Sequence, residues 1–168
     1  MNSILTFDFA IDKENKKVAV VREFAAERAL VWDAFTKKEI LDQWWAPKPW
    51  KAQTKTMEFK EGGSRVYAMV GPEGEEHWAI IEFKTIEKLK RFTAMDAFTD
   101  ANGVKNKEMP QIQWDVKFTD KKEGTLVAII LSFDQLSDLE TIISMGFQEG
   151  FTIALQGLDE VLASLQGK

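Results

Sequence analysis

The stretch from Gln111 to Leu165 constrains the fold of this chain more than any other. Gln111-Ile112-Gln113-Trp114-Asp115-Val116-Lys117-Phe118-Thr119 alternates polar and apolar side chains without a break, the period of a strand with one buried face. An almost wholly apolar strand from Thr125 to Phe133 follows. Phe147, Phe151, Leu155, Leu158, Leu162 and Leu165 then recur at helical spacing on one stripe. This order predicts a sheet over which a long amphipathic helix closes. Such a helix either completes a core or roofs a cavity.

The rest of the chain extends the sheet. Thr6–Ile11 and Val18–Phe24 read as a hairpin around the polar turn Asp12 to Lys17. Glu27–Phe35 changes to a helical period, with Val31, Ala34 and Phe35 on one face. Thr36 and Glu39 have the spacing of a capping box, opening a second short helix through Ile40, Leu41, Trp44 and Trp45. Pro47 and Pro49 forbid its continuation. Thr54–Lys60, Arg65–Val70, His77–Lys84 and Leu89–Met95 then form a meander, punctuated by Gly62-Gly63 and Gly71-Pro72-Glu73-Gly74. A polar loop from Asp100 to Pro110 leads back to Gln111. Ser137 and Glu140 suggest another capping box, and Gly146 and Gly150 mark a bend or the start of the last helix. Short strands with tight turns imply antiparallel pairing, so an α+β fold in one domain over residues 1–168 is expected.

Several function classes fall away on residue type. Cysteine is absent, so disulfides, thiolate nucleophiles and cysteine-ligated zinc are excluded. With 27 acidic against 22 basic side chains, nucleic acid and anionic membranes are not expected partners. The second short helix is acidic and apolar where a DNA-reading helix needs basic or amide groups. No apolar run approaches the ~20 residues of a membrane span. Met1-Asn2-Ser3 carries no basic leader, so a cytoplasmic location is expected. His77 is the single histidine, which rules out a multi-histidine metal site, and both glycine clusters join strands, so neither opens a helix toward a phosphate. No cofactor is expected. Glu82, Glu87, Asp96, Asp115 and Asp120 lie on separate strands and loops and read as solvated surface acids.

Three motifs carry a resemblance over Val18 to Leu165. They are Arg22-Glu23-Phe24-Ala25-Ala26 leading to Val31-Trp32-Asp33-Ala34-Phe35-Thr36 and Trp44-Trp45-Ala46-Pro47; Gly62-Gly63-Ser64-Arg65-Val66-Tyr67 running on to Glu75; and Gly150-Phe151 with Leu158 and Leu162. Together they resemble the activator of Hsp90 ATPase homologue 1-like family, in the START and Bet v 1-like superfamily. The resemblance implies a helix-grip fold: a curved antiparallel sheet wrapped around a long C-terminal helix, with two short helices after the first long strand and often a cavity beneath. The chain departs from the family pattern at Ala26, usually proline, at Phe151, usually tryptophan, and near Ile80, where glycine is common. The last change predicts a straighter strand or a fuller interior.

Cavity candidates are Trp45, Tyr67, Met69, Trp78, Trp114, Phe118, Phe147, Phe151 and Leu155. Adjacent helical side chains diverge by about 100°, so one of Trp44 and Trp45 is expected to anchor the helix pair and the other to cover the Pro47–Trp50 loop. An aromatic wall at a cavity mouth is the alternative, compatible with the first. Tyr67, the single tyrosine, either orients a ligand's polar end or sits at a sheet edge with its hydroxyl in water. Catalysis by His77 is not expected, since it starts a strand beside an acidic turn.

The leading functional expectation is non-enzymatic binding of a small apolar or amphipathic molecule between sheet and helix. A protein-interaction module like the Hsp90-activating domain is the alternative, and a cyclase- or aromatase-like enzyme a weaker one. A monomer or a homodimer would serve either. An enclosed apolar space of roughly 300 Å³ or more favours the first reading; a sealed core with an exposed aromatic patch favours a protein partner.

Overall fold

The computed structural model describes residues 5–167; Met1-Asn2-Ser3, on which the leader expectation rests, lies outside them. Strands β1 (Phe7–Asp12) and β2 (Lys17–Phe24) precede helices α1 (Arg28–Thr36) and α2 (Lys38–Trp44). A meander follows: β3 (Lys51–Met57), β4 (Ser64–Val70), β5 (Glu76–Glu87), β6 (Arg91–Thr99), β7 (Gln111–Lys121) and β8 (Gly124–Ser132). Helices α3 (Leu136–Ser144) and α4 (Phe147–Gln166) end the chain.

The eight strands among the described residues form one sheet in the order β1-β2-β8-β7-β6-β5-β4-β3, and every pairing is antiparallel. α1 and α2 therefore carry the chain from β2, near one edge, to β3 at the other. β2 to β8 pairing brings the ends of the sheet's sequence together, which no local pattern encodes. No helix among the described residues is long and apolar enough to cross a membrane.

One face of the sheet is the core. Alternation buries Val18, Val20 and Phe24 on β2, Ala79, Ile81 and Phe83 on β5, Ile112, Trp114, Val116 and Phe118 on β7, and Val127, Ile129 and Leu131 on β8. α4 lies against this face with Phe151, Ala154, Leu155, Leu158 and Leu162 buried. A polar clasp holds it: Arg22, on the inner face of β2, donates to the Asp159 carboxylate on α4 and to the Glu23 carbonyl at 2.9 Å. Its guanidinium also lies 5.0 Å from the Phe24 ring centroid.

Local details depart from the sequence reading. Neither capping box forms. α2 is capped by Lys37 without a side-chain hydrogen bond, because Thr36 still belongs to α1 and its hydroxyl donates back to the Trp32 carbonyl at 2.8 Å. α3 begins at Leu136, capped by Gln135, so Ser137 is already inside the helix. Leu89 is not in a strand; it sits in the turn with φ 67°, and β6 runs on to Thr99. Ile80 leaves the interior unchanged, since its strand neighbours Ala79 and Ile81 are the residues that face the core. Gly146, at φ 87°, provides the left-handed joint between α3 and α4.

Candidate functional site

Where α4 begins, its first turns do not seal onto the sheet. A cavity of about 240 Å³, open at one end, lies between the inner faces of β4–β7, the Trp45–Pro47 loop and the α3–α4 joint. Trp45, Tyr67, Met69, Trp78, Trp114, Phe147 and Phe151 line it, together with Pro47, His77, Ala79, Asp96, Phe98, Ile112, Ile142, Met145, Gly146 and Gly150. The walls are overwhelmingly apolar and aromatic. Phe151 connects them, with ring centroids 5.9 Å from Trp114, 6.3 Å from Trp45 and 5.2 Å from Phe147.

Two of the sequence candidates lie elsewhere. Phe118 packs in a separate aromatic cluster, 5.0 Å from Trp32 and 5.5 Å from Phe35, because β7 carries it two alternations beyond Trp114, under α1. Leu155 is one helical turn past Phe151, where α4 already meets the core, and is 1% exposed. Trp78 touches the cavity but engages other groups with its ring: the indole N–H donates to Glu76 at 3.1 Å and Lys55 Nζ lies 5.8 Å from the ring centroid. His77 is exposed at the mouth, its ring 5.3 Å from that of Trp50.

Both adjacent tryptophans are buried, contrary to the expectation that they divide between core and loop. α2 has packed structure on two sides. Trp44 turns toward α1, donating to the Ala34 carbonyl at 2.9 Å. Trp45 is the C-cap residue, and its indole N–H donates to the Tyr67 hydroxyl at 3.0 Å. Tyr67 is therefore not an edge residue with its hydroxyl in water. It is 3% exposed, and burial pushes its pKa well above the ordinary value.

Beneath Tyr67 lies the fully buried Arg65. Its Nη2 donates to Asp42 at 3.1 Å and its Nε to Thr54 Oγ1 at 3.0 Å, while the guanidinium stacks 4.2 Å from the Tyr67 ring centroid. Arg65 lines a second, much smaller void of about 20 Å³, which shares Trp45 and Trp114 with the main cavity. Desolvation lowers the Arg65 pKa, opposed by Tyr67, Asp42 and Asp96.

Asp96 departs from the expectation of a solvated surface acid. It is not a surface acid: it lies in the cavity wall on the inner face of β6, paired with Ile81 on one side and Ile112 on the other. Burial between these isoleucines raises its pKa from 3.8 to about 7, against weaker opposing effects from Trp114, Arg65 and the Ala97 backbone. Among the described residues the buried Trp114 indole N–H completes no hydrogen bond within normal limits of distance and angle, yet it is near enough to favour the Asp96 anion. The available signal was alternation: Phe92, Ala94, Asp96 and Phe98 share one side of a strand.

A raised carboxyl pKa has a definite sign in stability. Between pH 3.8 and about 7 the folded state holds the proton more tightly than the unfolded chain, so stability falls as pH rises through that window. Asp96→Asn is expected to remove this fall. Urea melts at pH 5 and pH 8 should show the variant gaining on the parent by up to about 2.5 kcal/mol, less where cavity solvent screens the charge. Parallel pH profiles for the two proteins would place Asp96 in water instead.

No curated protein matches the chain. A solution structure of an Arthrobacter aurescens protein is similar at 30% identity, covering 94% of this chain and 91% of its own, with a TM-score of 0.88. One from Staphylococcus epidermidis is 27% identical, covering 92% and 94%, with a TM-score of 0.81. A Mycobacterium smegmatis crystal structure, 24% identical over 95% and 97%, shares the fold with a TM-score of 0.86. The family model described as activator of Hsp90 ATPase homolog 1-like protein matches residues 25–163. With its helix-grip architecture and this match over most of its length, the chain belongs to the activator of Hsp90 ATPase homologue 1-like family.

Proposed function

We propose that this chain is a small-molecule binding protein that holds a mostly apolar ligand between the sheet and the first turns of α4. The observation that carries the reading is the cavity itself: concave, open at one end, walled by aromatic rings, with a few polar groups at defined positions. Its volume of about 240 Å³ is below the roughly 300 Å³ at which such sites usually begin. The occupant is accordingly of single-ring size. Tyr67 and Asp96 supply the polar features that would orient it.

2-Phenylethanol, a neutral one-ring probe, tests this reading by NMR. Saturable shifts are expected at the indole N–H signals of Trp45 and Trp114, and not at Trp32, which packs against Phe59, Phe92 and Phe118 away from the cavity. Uniform small shifts, or none up to the solubility limit, would reject the site. Native mass spectrometry of protein purified from its own host should release the physiological occupant.

The protein-interaction reading draws on apolar side chains exposed on β1 and α4: Phe7 at 42%, Ile11 at 38% and Ile153 at 42%. It takes second place because these are single, partly covered side chains, whereas the cavity is a concave aromatic site. Chaperone ATP turnover that rises with this chain, and not with a Phe7→Ser, Ile11→Ser variant, would reverse that order.

A further inference from the structure

Resting on that reading, we infer that the cavity selects a small organic amine in its cationic form, its ammonium group paired with Asp96 and its apolar body held between Trp45, Trp114 and Phe151. The charge inventory of the wall is the first ground. Among the described residues Asp96 is the one carboxylate lining the cavity, and neither lysine nor arginine lines it. Arg65 stands behind the Trp45–Trp114 wall, engaged with Asp42 and Thr54. An entering anion would meet an acid and give up its water without a partner; an entering cation meets a carboxylate and several electron-rich ring faces.

Unused hydrogen-bonding capacity is the second ground. Among the described residues no side-chain hydrogen bond of normal geometry reaches the Asp96 carboxylate, which faces the open apolar cavity; the Trp114 indole and the Ala97 amide are the donors near enough to favour its anion. Asp96 is half-buried, its two carboxylate oxygens can accept more than these two donors offer, and an ammonium supplies a charge-assisted one. Position is the third. Ile81 and Ile112 flank Asp96 in register, so water cannot solvate it from the sheet side, and the open cavity is the direction from which a partner can arrive.

The groups facing Asp96 set the pH dependence. β4 brings Arg65 and Tyr67, β5 brings His77 at the mouth, β7 brings the Trp114 N–H, and α3 and α4 bring only the apolar Ile142, Met145, Phe147, Gly150 and Phe151. Asp96 ionises through about pH 7, so amine affinity rises with pH across that range and levels above it, and binding below it releases a proton.

The experiment compares three matched one-ring probes by calorimetry: 2-phenylethylamine, 2-phenylethanol and phenylacetate. At pH 8 the amine is expected to bind about tenfold or more tightly than the alcohol, and phenylacetate most weakly. Near pH 5 the advantage of the amine should shrink toward parity. In Asp96→Asn the amine and alcohol should bind within about threefold of each other at both pH values, which separates Asp96 from His77. Equal amine and alcohol affinities at pH 8, or tightest binding of phenylacetate, overturn the inference while leaving the cavity a binding site. No binding by any probe overturns both. If Asp96→Asn does not fold, the pH series on the unmodified protein decides the matter alone.

Discussion

Asp42→Ala is expected to destabilise the protein by about 3–5 kcal/mol, because it strands a cation inside the fold. Arg65 is 1% exposed and draws its counter-charge from Asp42, whose Oδ1 accepts both from Arg65 Nη2 at 3.1 Å and from Thr54 Oγ1 at 2.6 Å. Asp42 Oδ2 also accepts the Thr54 backbone N–H at 3.1 Å, fastening α2 to β3. Among the described residues Arg65 Nη1 already has no hydrogen-bond partner, so the site has no reserve when the carboxylate is removed. Arg65→Met should cost less, about 2 kcal/mol or below, since Asp42 has 31% of its side chain in water and tolerates the loss of its partner. Urea denaturation of both variants measures the contrast. A cost under about 1 kcal/mol for Asp42→Ala would mean that the pair is solvated in solution.

Leu155→Ala and Phe151→Ala should separate packing from binding. Leu155 is 1% exposed within the core, so truncation loses transfer energy and leaves a hole, about 2–5 kcal/mol in all. Phe151 is 7% exposed but borders a cavity that already exists, so fewer of its contacts are with protein, and a cost nearer 1–2 kcal/mol is expected. Its larger effect should be on the 2-phenylethanol shifts of Trp45 and Trp114, which should fall sharply in Phe151→Ala and persist in Leu155→Ala. Costs below about 0.5 kcal/mol for both would place α4 in another register than the one described.

Much of this architecture was legible before any coordinates. The unbroken alternation from Gln111 to Thr119 predicted a half-buried strand, and β7 covers it. The stripe from Phe147 to Leu165 predicted the long final helix, whose Phe151, Leu155, Leu158 and Leu162 are buried. Aromatic residues marked the cavity region at Trp45, Tyr67, Trp114 and Phe151. Charged residues were harder to place. Arg65 carried a family motif but no role, and Asp96 fell one residue past the predicted end of its strand.

The reason is physical. Local periodicity determines which side of a strand or helix a residue occupies, because backbone geometry repeats every two or 3.6 residues. It therefore determined the apolar face of β7, the stripe of α4 and the order of the elements. What a polar side chain becomes on the inner face depends on its cross-strand neighbours and on what lies over it. Asp96 became a cavity acid through the register that sets it between Ile81 and Ile112, and through an α3–α4 joint at Gly146 that leaves this part of the sheet unsealed. Arg65 became a buried cation because Asp42, on a helix distant in sequence, arrives beside it. Desolvation and charge pairing act between atoms in space, so only the tertiary structure decided where the chemistry of this fold resides.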